Sequence, residues 1–191
     1  MRKTDADWER MPPIHRAVYE GDAAKVKALL EAGADPNRLM GVREERPLRI
    51  AAQQNSLRIA QLLLRHGADV DGESAIAGTA MEAAIRHAHV KMVKLLLDYG
   101  ADPSGPTRWS AVPIYRHVEQ CAFNVPCEPA LKIAKLLLEY GARVTPEMLR
   151  RITGANRSRP REFIAAIVAM IGKKYPDVVM DAWCETQTPV L

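Results

Sequence analysis

The phrase Leu-Leu-x-x-Gly-Ala occurs four times in this chain, at residues 29–35, 63–69, 96–102 and 137–143, each time closed by Asp or Arg. Its glycines, Gly33, Gly67, Gly100 and Gly141, lie 34, 33 and 41 residues apart. A period near 33 residues constrains the fold more than any other feature. A unit of that length cannot bury an apolar face by itself and has to stack on its neighbours. Ahead of each glycine, Val26/Leu29/Leu30, Ile59/Leu62/Leu63, Met92/Leu95/Leu96 and Ile133/Leu136/Leu137 recur at i, i+3 and i+4 and predict one apolar stripe per helix. The glycine, lacking Cβ, can take the left-handed conformation that ends such a helix.

A second, shorter helix precedes each stripe. The aligned segments read Pro13-Ile-His-Arg-Ala-Val-Tyr-Glu-Gly-Asp, Pro47-Leu-Arg-Ile-Ala-Ala-Gln-Gln-Asn-Ser, Ala80-Met-Glu-Ala-Ala-Ile-Arg-His-Ala-His and Pro113-Ile-Tyr-Arg-His-Val-Glu-Gln. Proline in the first helical turn loses no hydrogen bond and already has a helical φ. The small residues Ala17, Ala51 and Ala84 let neighbouring first helices approach closely. This pattern resembles the ankyrin repeat, whose hallmark is Thr-Pro-Leu-His-x-Ala followed by two helices and Gly-Ala-Asp. No copy matches in full, since the Thr falls only at Thr79 and the His only at His15.

The resemblance implies an all-α ankyrin-repeat solenoid with short β-finger loops: four repeats at 12–37, 46–71, 79–104 and 112–145, plus a degenerate C-terminal capping repeat. Residues 1–11 are then an N-terminal extension, 146–175 a helical cap and 176–191 a tail. Lys25 stands where the other repeats have Ile59, Met92 and Ile133, as a terminal repeat with no neighbour on that side requires. In the cap, 145–149 starts a helix and 161–174 forms another, with Phe163, Ile164, Ile167, Val168 and Ile171 turned inward.

Composition agrees with one α domain: 48% of residues are hydrophobic but only 5% aromatic, as layers of Leu and Ala require. No run reaches the roughly 20 apolar residues of a membrane span. The first residues lack the apolar stretch of a signal peptide, and three cysteines do not suggest a disulfide framework. The expectation is a soluble cytoplasmic chain, monomeric or weakly dimeric, with no membrane partner.

In ankyrin-like arrays, partners are gripped by the finger tips and the exposed ends of the first helices. Alignment carries this to Tyr19/Glu20, Gln53/Gln54, Arg86/His87 and Glu119/Gln120 on the helices, and to Arg43/Glu44/Glu45, Ala75/Ile76 and Arg108/Trp109 on the fingers. Trp109 leads this set, because Trp, Tyr and Arg dominate binding hot spots. The bland alternative is a solvated polar face, with Trp109 packed on its neighbours.

Three features invite other readings. The 41-residue spacing places eight extra residues, 121–128, between the helices of the fourth repeat, and inserted loops are often functional. Cys121, Cys127, His117, His87 and His89 are zinc-type ligands, yet Cys-x5-Cys is not a standard zinc spacing and a free Cys usually behaves as a small buried hydrophobe. No metal or cofactor is assigned. Residues 143–174 hold eight Arg and Lys against two Glu, while net charge over the chain is +4. Nucleic-acid binding through this basic cap is an alternative, weakened by the absence of interleaved aromatics or a recognised module. Catalytic motifs are missing: there is no phosphate loop, His-Glu-x-x-His or nucleophile elbow. Asp35, Asp69 and Asp102 read as turn residues that accept backbone N–H bonds. The expected function is therefore non-catalytic: an adaptor, inhibitor or immunity-type binder of another protein. A metal- or cofactor-dependent activity centred on the insert is the other alternative.

Overall fold

The computed structural model describes residues 11–74, 78–104, 127–146, 149 and 161–179. The chain divides into two units, Met1–Ala101 and Asp102–Leu191. The first holds three helix pairs: α1 (Pro13–Glu20) with α2 (Ala23–Glu31), α3 (Pro47–Gln53) with α4 (Leu57–Arg65), and α5 (Ala80–Arg86) with α6 (Val90–Asp98). First helices pack on first helices, α1 on α3 and α3 on α5, and second helices on second helices, α2 on α4 and α4 on α6. In the second unit, α7 (Cys127–Glu139) packs on α8 (Arg161–Lys174). Among the described residues there is no strand. Isolated antiparallel bridges, Met40 with Glu45 and Ser74 with Gly78, close two fingers. The fold is all-α, as expected from the repeats.

Local chemistry explains each boundary. Pro13 and Pro47 occupy the first turns of α1 and α3. Thr79 replaces proline at α5 by accepting the Glu82 N–H on its Oγ1 at 3.1 Å. Every second helix ends on a glycine with φ between 85° and 91°, namely Gly33, Gly67, Gly100 and Gly141. The next alanine donates back five residues: Ala34 to Leu29, Ala68 to Leu63, Ala101 to Leu96 and Ala142 to Leu137, at 2.9–3.0 Å. This paired closure satisfies carbonyls that the helix leaves open. Asp35, Asp69 and Asp102 then accept the N–H groups of Asn37, Asp71 and Ser104 on Oδ1 at 2.8, 3.2 and 2.7 Å. Asn37 also ties adjacent repeats, donating to Gly67 O at 2.9 Å and accepting from Asp69 N at 2.8 Å.

The first helices end in the same way, a feature the sequence reading did not anticipate. Gly21, Asn55 and Ala88 take φ of 72°, 57° and 55°, and the residues after them donate to Ala17, Ala51 and Ala84. Only glycine adopts this conformation without steric cost, and Ala88 bears it with a Cβ. Ala88→Gly is therefore expected to raise stability by up to about 1 kcal/mol, as relief of left-handed strain outweighs the added chain entropy. Thermal unfolding checks it; a lower midpoint in the variant would refute the strain argument.

The core refines the predicted stripe. Ile59, Ala60, Leu63 and Leu64 are buried in α4, Met92, Val93, Leu96 and Leu97 in α6, and Ile133, Ala134, Leu137 and Leu138 in α7. Leu62, Leu95 and Leu136, which periodicity placed inside, are only half-buried. Two facing layers of neighbours cover positions i, i+1, i+4 and i+5, so i+3 falls at the edge. In α2 just Val26 and Leu30 are buried, while Lys25 is exposed and Leu29 half-buried. That outward edge is the polar terminal position read from the sequence. Ala17, Ala51 and Ala84 have no exposed surface, consistent with close packing of the first helices.

In the second unit, α7 begins at Cys127, so the last two of the eight extra residues lengthen a helix rather than a loop. Helix α8 spans the predicted 161–174 and buries Ile167 and Ile171, with Val168 half-buried.

Candidate partner-binding face

The third position of the first helix is polar in all three described repeats and buried in each: His15 at 0%, Arg49 at 7% and Glu82 at 8% exposure. Burying a polar group requires a compensating bond, so these residues organise their surroundings. His15 Nε2 donates to Glu45 O at 2.9 Å and holds the first finger against α1. The Glu45 carboxylate accepts from Tyr19 Oη at 2.6 Å and lies 3.7 Å from the Arg49 guanidinium, whose side chain is 8% exposed. Arg49 in turn reaches Gln53 Oε1 at 3.4 Å. Arg49 is the residue that sequence reasoning missed. Its place in the repeat register, aligned with His15, was the available signal.

Charge concentrates here. Burial pushes the Arg49 guanidinium below its ordinary value; Glu45 opposes this, while the positive charges of Arg86 and Arg43 push the same way. Burial also raises the Tyr19 phenol, helped by its hydrogen bond to the Glu45 carboxylate and by that group's charge. His87 stacks on His89 with ring centroids 5.5 Å apart, and His89 Nδ1 donates to Ala52 O at 3.0 Å. His87 is held below the usual 6.5, first by burial and then by His89, Arg86 and Arg49. A base depressed in the fold binds fewer protons than in the unfolded chain. Its contribution to stability therefore falls as pH drops through 6.5 towards the folded midpoint and is level below it. An NMR titration is expected to place the His87 midpoint below 6.5 and to move it upward in Arg86→Gln. A midpoint at or above 6.5 would contradict this electrostatic arrangement.

Of the residues predicted from sequence, Arg43 and Glu44 are exposed on the first finger, and Gln53, Gln54, Arg86 and His87 are exposed at the ends of the first helices. Val42, which the sequence reading passed over, is 92% exposed at the finger tip. The turn around it is set by Gly41 and Glu44, both at positive φ. Glu20 is exposed and paired with Lys25 at 3.0 Å. Tyr19 and Glu45 are half-buried and bonded to each other, and Gln54 donates to Tyr19 O at 3.2 Å. Tyr19 and Glu45 tie the finger to α1, and Gln54 ties the end of α3 to α1. Ala75, Ile76, Arg108, Trp109, Glu119 and Gln120 lie outside the described residues, as do Cys121 and His117. Among the described residues no group of three or more His, Cys, Asp or Glu is placed to hold a metal ion, and no helix is long and apolar enough to cross a membrane.

Stacked helix pairs, joined by fingers and closed by left-handed glycines, define a helical repeat array. The chain belongs to the ankyrin-repeat proteins: residues 14–106 match the family model for ankyrin repeats in three copies. It is 33% identical over 114 residues to the transient receptor potential channel pyrexia of Drosophila melanogaster, covering 58% of this chain. It is 38% identical over 95 residues to ankyrin repeat and SOCS box protein 2 of Rattus norvegicus, covering 49%. Ankyrin repeat protein FPV014 of fowlpox virus matches at 35% over 137 residues, covering 69%. The chain spans 11%, 14% and 28% of the lengths of these three relatives. Among solved structures, an ankyrin repeat domain from Acinetobacter baumannii AYE superposes with a TM-score of 0.68 at 23% identity, over 88% of this chain and 87% of that one. Ankyrin repeats are generally protein–protein interaction modules, and the fold is typically non-enzymatic.

Proposed function

We propose that this chain holds another protein, as an adaptor or inhibitor acting by occupancy in the cytoplasm, through Val42, Arg43, Glu44, Gln53, Arg86 and His87. By alignment alone, Ile76, Arg108, Trp109, Glu119 and Gln120, which lie outside the described residues, are further candidates. The observation that carries this reading is Val42, 92% exposed on a finger whose base is fixed by His15, Tyr19 and Glu45. An apolar tip on a rigid support loses little entropy on binding and gains by leaving water. The neighbouring Arg43, Gln53 and Arg86 supply the polar contacts that set orientation.

The test is affinity capture from native lysate with mass-spectrometric identification, comparing wild type with Val42→Ser/Gln53→Ala/Arg86→Ala. A partner retained by wild type and lost from the triple variant is expected, with the thermal midpoint unchanged because all three side chains are exposed. Trp109→Ala, run alongside, tests the candidate added by alignment. Capture of the same partner by wild type and triple variant alike would remove this face from the function.

A further inference from the structure

We infer that Arg43 and Arg86, beside the buried Arg49–Glu45 pair, form a receptor for an acidic segment of the partner protein, a stretch whose carboxylates lie across the finger and the ends of the first helices. This rests on the reading of that face as the partner site.

Elsewhere several lysines are paired along their helices, while Arg38, Arg58, Arg65 and Lys91 are exposed with no carboxylate of the described residues within ion-pair distance. On the second helices Lys27 meets Glu31 at 3.6 Å and Lys94 meets Asp98 at 2.7 Å; in the second unit Lys132 meets Glu128 at 2.7 Å and Lys135 meets Glu139 at 3.8 Å. Each is an i,i+4 pair on an exposed helix face. Among the described residues, Arg43 and Arg86 have no carboxylate within ion-pair distance, although both are exposed and both act electrostatically on Arg49. The acid beside them, Glu45, is already engaged by the Tyr19 hydroxyl and by Arg49. Glu44 is exposed on the same turn.

Gathering like charges costs free energy, and Arg49 adds burial to it. An arriving carboxylate reverses the sign of that interaction, because guanidinium groups bind carboxylates bidentately in short charge-assisted bonds. The amide of Gln53, beside Arg49, adds a neutral donor. A nucleic acid would also bring negative charge, but sequence-tolerant binding of single strands relies on exposed aromatic rings for stacking. The described phenol on this face, Tyr19, is half-buried with its hydroxyl committed to Glu45, and the His87 ring is already stacked on His89. The exposed Val42 favours a polypeptide, which can supply an apolar contact next to its acids.

The probe is a fluorescein-labelled oligoglutamate peptide, titrated by anisotropy at low and at moderate salt. Wild type is expected to bind it, more weakly as salt rises. Arg43→Gln/Arg86→Gln is expected to weaken binding at least about tenfold, the scale of two lost charge-assisted bonds. Lys27→Gln/Lys94→Gln removes equal charge from the second helices and is expected to leave affinity within about twofold. No binding by wild type, equal binding by the arginine variant, equal loss in the lysine variant, or tighter binding of a single-stranded oligonucleotide of matched charge would each overturn the inference. The captured partner separates the two readings. If Arg43→Gln/Arg86→Gln keeps it while Val42→Ser/Gln53→Ala loses it, the face stands and acid recognition falls. If every variant keeps it, the face itself falls.

Discussion

Leu96→Ala is expected to lower the unfolding free energy by about 3–5 kcal/mol, measured by chemical denaturation, while Leu95→Ala next to it costs about 1 kcal/mol. Leu96 has no exposed surface and lies in α6, which packs on both α4 and α5. Removing three buried carbons forfeits their transfer free energy and leaves a cavity that helices pinned at both ends cannot close. Leu95 is half-buried, so its truncation empties no enclosed volume. Lys94→Ala, exposed and bonded to Asp98, is expected to change stability by less than about 0.5 kcal/mol. Because each repeat touches only its neighbours, the loss in Leu96→Ala should be concentrated in the first unit and visible as local loss of amide protection there. Equal costs for Leu95 and Leu96 would mean that the buried edge of the helix has been misplaced.

That pair marks the limit of what the sequence disclosed. The repeated glycines located every second-helix end, and the aspartates after them were legible as turn residues because both rely on local backbone chemistry. Ala17, Ala51 and Ala84 were legible as close-packing positions for the same reason. Periodicity found an apolar stripe but not its centre, since which edge of a helix is covered depends on neighbours on two sides. The aligned segments contained Gly21, Asn55 and Ala88 in register, yet the alanine hid a left-handed turn that a residue with a Cβ makes under strain. The candidate face divided along similar lines. Exposure of Arg43, Gln53 and Arg86 followed from register, and Glu45 and Arg49 stand at an i,i+4 spacing, whereas the hydrogen bond of Tyr19 to Glu45 joins residues 26 apart that no local rule announces. His15, Arg49 and Glu82 share one repeat position but differ in charge, so a single consensus residue could not predict their bonds.

Glu82 leads to the second large effect. Gly78→Ala is expected to destabilise the chain by about 2–3 kcal/mol, and Glu82→Ala in the same molecule to recover about 1 kcal/mol of that loss. Gly78 has φ of +78°, which alone costs an L-residue about 1–2 kcal/mol. A Cβ at Gly78 would also stand 1.8 Å from Glu82 Oε2 and 2.9 Å from its Cδ, so the carboxylate must leave its place. Glu82 is 8% exposed, and its Oε1 is buried with no hydrogen-bond partner among the described residues. Its side chain is flexible enough to swing, but the swing carries a charge through the base of the finger that Ser74 and Gly78 close. Truncating Glu82 removes the collision and leaves the backbone strain, so the two changes should couple rather than add. Thr79 still caps α5 through the Glu82 N–H in every variant, which keeps the helix start constant across the cycle. Additive costs in a double-mutant cycle by thermal or chemical unfolding would show that Gly78 is required by its backbone conformation alone and that the carboxylate lies clear of it.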